Sequence, residues 1–370
     1  MKRICLFAFF ALVALCGACT QNDPVPADPG AVSPVCAAYR ISARVLPMAG
    51  GETAPGSRAL LPMTPEEENM IRTIAVLQFD SEDNLVLVAD GERPGSESYY
   101  YFRNLTEDED TPNGTPSPEL DNVRLQSGDG QRTTICLIAN MTEAQIADLI
   151  LKDDGRTRVQ LSDFRRKTVD IGNILTEEDG AGDRNENIGH VKQIYMFGYY
   201  EGVLPGTESG LSIYLGRIIA RIEVNFTIDD PEDLKKEFYI GLANMETKAY
   251  VFPGAQSPNA EDAWLDMKPT ERSEEIRTGA CQFYFYAAPH STDVSDKATR
   301  LQIWYVDEGT VPSDDNVSAT VLLCNNPDTK PEDAMEGDYY LNRNSIYHVN
   351  IHLSEKRDGT PVVRSGCRRR

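Results

Sequence analysis

Along most of the chain, apolar residues alternate with polar ones or gather in short runs between Gly, Pro, Asn and Asp clusters. A period of two, with turn residues bounding each run, is the pattern of β-strands. It predicts strands over 39–47, 70–80, 85–89, 98–104, 121–126, 133–140, 193–200 and 211–227. Further strands are predicted over 237–242, 249–252, 282–288, 299–306, 318–324, 339–341 and 345–353. Turn chemistry separates them, as in Ser81-Glu82-Asp83-Asn84, Pro112-Asn113-Gly114 and Ser127-Gly128-Asp129-Gly130. One helix stands out: Thr142 is a good N-cap, Glu143 suits the first turn, and Ile146, Leu149 and Ile150 share a face. A second short helix is predicted over 231–236. Many short strands with one or two short helices predict an all-β fold of stacked antiparallel sheets. The run 211–227 exceeds one ordinary strand, and Gly216-Arg217 near its middle marks the expected passage from one β-sandwich (59–216) to a second (217–370).

The N-terminus follows a different pattern. Lys2 and Arg3 precede an apolar run, Ile4 to Leu15, and the small residues Gly17 and Ala18 stand directly before Cys19. The run is too short for a permanent membrane span and fits a secretory signal. Cys19 is the expected lipidation site, bearing diacylglycerol and palmitate, with 1–18 removed; the plainer alternative is an ordinary signal with an incidental cysteine. The stretch 20–34 is polar and Pro- and Asp-rich, the composition of a tether. The expected location is the outer membrane, by lipid anchor, and the cell surface.

Composition narrows the function classes. The 370 residues carry a net charge of −22, so nucleic acid is not an expected partner, because phosphate binding needs a basic face. Eight cysteines are present, but Cys5 and Cys16 lie in the signal and the later ones are far apart, without C-x-x-C spacing in the mature chain. Cys136 and Cys324 sit inside apolar runs, where cysteine behaves as a small hydrophobe; the pairing state of Cys136, Cys281, Cys324 and Cys367 is open. Of the four histidines, His348 and His352 are four apart. On a strand that spacing is about 13 Å, too far for a shared zinc ion. Glu66-Glu67-Glu68 and 107–110 have the pattern of solvated loop charge. Asp80 to Asn84 fits a hairpin turn as well as a calcium loop. Nucleophile-elbow, Walker and zinc-hydrolase motifs are missing, so neither catalysis nor a cofactor nor a metal is expected. Aromatic runs at 99–102, 199–200 and 283–286 could stack sugars, but their alternate members are more simply core.

The order of segments adds a resemblance. An early strand, Ala37-Ala38-Tyr39-Arg40-Ile41-Ser42-Ala43-Arg44-Val45, is followed by the loop Gly56-Ser57-Arg58 and the strand Ile71 to Asp80. Cys136-Leu137-Ile138-Ala139-Asn140 precedes the helix. Leu215-Gly216-Arg217 to Val224 and Arg343-Asn344-Ser345-Ile346-Tyr347 follow in order. Together these segments resemble the Bacteroidales fimbrillins, the type V pilins. The resemblance implies two tandem transthyretin-like sandwiches and a lipoprotein precursor cut by an arginine-specific protease, here after Arg58, with Arg44 second because it lies within the strand pattern. It implies that 19–58 is a tether and removable first strand, with Tyr39, Ile41, Ala43 and Val45 on one face. A strand donated by another fimbrial subunit would refill the vacated groove. The alternative is a permanent first strand, with Arg58 a mere loop residue. After Leu353 only the charged stretch 354–370 remains, with Val362-Val363 alone apolar, so it is not expected to form a donor strand. The expected role is a non-enzymatic tip or accessory fimbrial subunit. The alternatives are a membrane-anchor subunit, a glycan-binding surface lipoprotein and, last, a secreted hydrolase.

Overall fold

The computed structural model describes residues 36–48, 65–93, 95–107, 113–126, 130–171, 194–229, 236–254, 264–267, 269–277, 280–323, 339–355 and 361–369, the last by backbone only. Cys19, Arg58 and the predicted helix over 231–236 lie outside these residues, apart from Lys236. The described chain is mainly β.

The N-terminal half is organised around one nine-stranded sheet. Its path runs β3 (Leu85–Val86), β2 (Thr73–Phe79), β7 (Arg132–Ala139), β9 (Met196–Val203), β10 (Leu211–Arg217), β1 (Cys36–Val45), β6 (Glu119–Gln126) and β4 (Ala89–Asp90), with β5 (Tyr101–Asn104) also on β2. The sheet folds over on itself at β10, which meets β9 through only two residue pairs, Gly216 with Phe197 and Arg217 with Met196. One core lies inside the fold: Ile74 and Val76 from β2 and Ile135, Leu137 and Ala139 from β7 meet Tyr39, Ile41 and Ala43 of β1. The alternate residues of the same two strands, Ala75, Leu77, Phe79, Cys136 and Ile138, face a second core. This is why β2 and β7 are continuous apolar runs, since a strand buried on both faces has no polar side to alternate. The second core is covered by the helices α2 (Glu143–Leu149) and α3 (Leu161–Phe164). Thr142 caps α2 in a capping box with Gln145.

Two four-stranded sheets enclose the third core in the C-terminal half. One runs β17 (Ala280–Ala287), β11 (Ala220–Ile228), β22 (Ile346–Glu355), β23 (Pro361–Arg369). The other runs β16 (Thr270–Glu271), β12 (Glu237–Ala243), β19 (Arg300–Val306), β20 (Ala319–Leu322). Three short pairs complete the set: β13 (Met245–Glu246) with β15 (Trp264–Leu265), β14 (Lys248–Tyr250) with β8 (Thr168–Asp170), and β18 (His290–Thr292) with β21 (Tyr339–Leu341). Ile222, Val224 and Phe226 of β11 pack with Phe283 and Phe285 of β17 and Tyr347, Val349 and Ile351 of β22.

The run 211–227 is broken between β10 and β11, and sheet membership changes there. The halves are joined by packing, because the second core also takes Ile218, Ile219, Val251, Phe252 and Tyr286. Two expectations need correction. No strand is predicted beyond 353, yet β23 pairs antiparallel with β22 from Tyr347–Arg369 through Glu355–Pro361. Backbone pairing does not require an apolar face, which is why hydrophobic pattern alone missed it. Nor is Glu68 loop charge; it ends a short helix, α1 (Pro65–Glu68), and is 3% exposed.

Candidate functional site

The first strand occupies an inner position. On one side β1 runs parallel to β10, with Ile41 opposite Leu211 and Val45 opposite Leu215. On the other it runs antiparallel to β6, from Cys36 opposite Gln126 to Ser42 opposite Glu119, with a register shift between Tyr39 and Ile41. Tyr39, Ile41 and Ala43 are 3%, 0% and 1% exposed, and Val45 packs partly buried against the same core. The intervening residues point outward, where Arg40 pairs with Asp121 at 2.8 Å. Arg44 is exposed but lies within the paired strand, so a protease would have to peel β1 out to reach it. Lifting β1 out would leave β10 and β6 each without a backbone partner along the edge that β1 covers, and would expose their shared apolar core. That is a slot shaped for an extended segment with apolar side chains at alternate positions.

A buried polar network lies at the end of this slot. Arg217, the last residue of β10 and 3% exposed, donates from Nη1 to the Leu46 carbonyl at 3.0 Å and to Asn344 Oδ1 at 3.0 Å. Its Nε reaches the Glu68 carbonyl at 3.3 Å and its Nη2 the Asn69 side chain. Asn344 sits in the turn before β22 with a left-handed backbone, φ 53°, a conformation asparagine tolerates better than most residues. Its Nδ2 donates to the Pro47 carbonyl at 3.0 Å, and its Oδ1 also accepts the Arg217 backbone N–H.

Arg221, four residues further on in β11, donates from Nη1 to both Glu68 carboxylate oxygens at 2.8 and 2.9 Å and from Nη2 to Glu223 at 2.6 Å. Glu68 also accepts from the Tyr286 hydroxyl, and Glu223 lies 3.1 Å from His348 Nδ1. Burial alone would raise the Glu223 carboxyl, but the His348 and Arg221 contacts outweigh it and hold the group below its ordinary range. Burial lowers the Arg217 guanidinium and, with the Glu68 carboxylate, lifts the Tyr286 phenol well above its usual value. Arg221, Glu223, Tyr286 and His348 stand on the second face of the β11–β17–β22 sheet, the face turned away from the third core, and Glu68 reaches them from α1. The network ties the chain just after the β1 loop to both halves.

The other sequence-singled residues are structural. Asp80 Oδ1 accepts from the N–H groups of Glu82 and Asn84, closing a hairpin turn on itself. His348 and His352 lie on strand β22, and no metal-holding cluster occurs among the described residues. Phe283, Tyr284, Phe285 and Tyr286 are all buried, so that run offers no stacking platform. Cys136 is fully buried, which pushes its thiol up and keeps it inert. Sequence reasoning met Glu68 as loop charge, Arg217 at the break, and Arg217, Arg221 and Asn344 within family-like segments, but gave none of them a place in a buried network. The available signal was charge inside an apolar strand, Arg-x-x-x-Arg-x-Glu over 217–223, where alternation leaves no solvated face.

No protein-family model and no curated protein matches the chain. Among solved structures, the tip fimbrial protein Mfa3 of Porphyromonas gingivalis, with a C-terminal truncation, aligns over 90% of this chain and 100% of its own, at 14% identity and a TM-score of 0.50. A cell adhesion candidate of Parabacteroides distasonis ATCC 8503 aligns over 90% and 96%, at 15% identity and 0.52. The chain shares their fold. The fimbrial anchor protein Mfa2 of Porphyromonas gingivalis also aligns over 90% of the chain, at a TM-score of 0.40.

Proposed function

We propose that the chain is a non-enzymatic subunit of a cell-surface fimbrium, at the tip or in an accessory position, assembled by strand exchange at the β1 slot. In this reading it is exported as a lipoprotein through Cys19 and held at the outer membrane. An arginine-specific protease then cuts after Arg58 and releases β1, and a neighbouring subunit donates the replacement strand. The two halves act as tandem β-sandwiches divided near residue 217.

The observation that carries this reading is the position of β1. It is an N-terminal strand, yet it lies between β10 and β6 with an apolar face of Tyr39, Ile41 and Ala43 in the core. An early segment at the edge of a sheet would leave no slot on release, whereas this one leaves two facing strand edges, of β10 and β6, and a row of sockets. The fold shared with a tip fimbrial protein supports the same reading. So does β23, which is paired within its own chain on β22 and is thereby occupied. One observation favours the anchor alternative: the carbonyls of Leu46 and Pro47 are held by buried or partly buried donors, which suits a strand meant to stay.

The test is the N-terminal residue of protein recovered from the cell surface, together with limited arginine-specific proteolysis of the precursor. A mature chain beginning at residue 59, and an Arg58→Ala variant excluded from fibres, are the expected results. Surface protein that still begins at the acylated Cys19 sinks the tip reading and leaves the anchor. A glycan binder would bind polysaccharide on an array and gain no strand-binding capacity on cleavage.

A further inference from the structure

We propose that Arg217 and Asn344 form a strand-end clamp, a binding site for the last two backbone carbonyls of whichever β-strand fills the slot between β10 and β6. The inference rests on the strand-exchange reading and adds what the slot requires of its occupant.

The geometry selects these two residues. In the described structure β1 leaves the sheet through Leu46, whose N–H donates to the Leu215 carbonyl at 2.8 Å. From that point backbone pairing to β10 stops. The next two carbonyls, of Leu46 and Pro47, are taken up by side chains: Arg217 Nη1 at 3.0 Å and Asn344 Nδ2 at 3.0 Å. Proline has no N–H, so at this place the chain offers acceptors without an orphan donor. Both clamp residues are also held by contacts that do not involve the β1 segment. Arg217 is oriented by the Glu68 carbonyl, the Asn69 side chain and Asn344 Oδ1. Asn344 is fixed by its own backbone N–H on the Ile219 carbonyl at 2.8 Å.

With the slot empty, Asn344 Nδ2 and one direction of the Arg217 fork lose their protein acceptors. Arg217 is almost fully buried, so an under-satisfied guanidinium there is costly, and the cost is removed only by an occupant that reaches the clamp. The occupant is therefore an extended peptide segment running parallel to β10. It carries apolar residues at alternate positions and at least two further peptide carbonyls beyond the one opposite Leu215. A shorter segment fills the apolar sockets and leaves the clamp open. Asn344 belongs to the C-terminal half, so the slot of the N-terminal half is completed by a residue more than a hundred positions away. This gives the Arg343-Asn344 turn a role beyond entry into β22.

The test uses the full chain, nicked in the 49–64 segment by an arginine-specific protease and chased with fluorescent synthetic peptides. Two peptides are compared, residues 36–48 and residues 36–45 with an amidated end. The clamp predicts that the longer peptide is retained at least about ten-fold more tightly by the wild-type chain, since two hydrogen bonds to buried or partly buried donors are at stake. It also predicts that Asn344→Asp, which keeps the acceptor for Arg217 and removes the donor, narrows that ratio several-fold. Equal retention of both peptides by the wild-type chain overturns the clamp and leaves strand exchange standing. Failure of both peptides to enter overturns strand exchange itself. The length comparison needs no variant, so a misfolded Asn344→Asp does not remove the test.

Discussion

At the scale of single residues, the behaviour of this protein is set by charges placed where hydrophobic side chains would ordinarily stand. Glu68 is the hub, bound by Arg221 through both oxygens and by Tyr286. Removing one partner of a buried pair costs far more than the pair itself contributes, because the other charge stays behind unpaired. Glu68→Gln should therefore lower stability by about 3 kcal/mol in urea unfolding, while Glu66→Gln, on the exposed side of the same helix, should stay within about 0.5 kcal/mol. Equal effects would place Glu68 in solvent. His290 makes a second prediction. It is 2% exposed, bonded through Nδ1 to Thr299 at 2.9 Å, and burial lowers its pKa from 6.5 to about 4. The unfolded chain binds the proton first, so the stability held by neutral His290 is complete above pH 6.5 and is lost as pH falls toward 4. The loss reaches about 3 kcal/mol. Urea midpoints at pH 7.5 and 4.5 should converge in His290→Gln relative to wild type; an unchanged slope would show that other groups carry the acid sensitivity.

At the scale of elements, period and turn chemistry located most strands, and most of the missed ones are very short. Strand β8, the pair β13 and β15, and β18 are two or three residues long, below the length at which alternation is visible. Strand β23 is held by its backbone, and α1 is a single turn whose burial is decided by Arg221. Helix α2 was legible because a cap and a hydrophobic stripe coincide within one short segment, and Thr142→Ala should cost about 1 kcal/mol of stability. The contact of β9 with β10 was not legible. At Gly198 a Cβ would stand 2.1 Å from the Tyr214 carbonyl oxygen, so only glycine lets β9 pass close beneath the strand that borders the β1 slot. Gly198→Ala should destabilise by about 1–3 kcal/mol and should loosen β1, read as faster hydrogen exchange at Ile41 and Ala43. Gly206→Ala, with open space at its Cβ, serves as the neutral control.

At the scale of the whole molecule, strand order carries the functional meaning. If release of β1 opens a slot, the amides of β6 and of residues 211–215 should lose exchange protection in the nicked, stripped chain, while those of β11 and β22 keep theirs. Uniform loss would mean that β1 holds the entire fold together. The site itself was half legible. The alternation of Tyr39, Ile41, Ala43 and Val45 marked a strand with one buried face, because side-chain period is a local property of the backbone. The clamp and the Glu68 network were not, because their members stand at positions 46–47, 68–69, 217–223, 286 and 344–348, and nothing local distinguishes a charge destined for solvent from one destined for a partner. The amino-acid sequence by itself determined that this is a β protein with an apolar early strand, a capped helix and a break near residue 217. Only tertiary structure decided that the early strand is an inner one and that the charges beyond it close on each other, since strand order and ion pairing depend on long-range contacts that local periodicity does not encode.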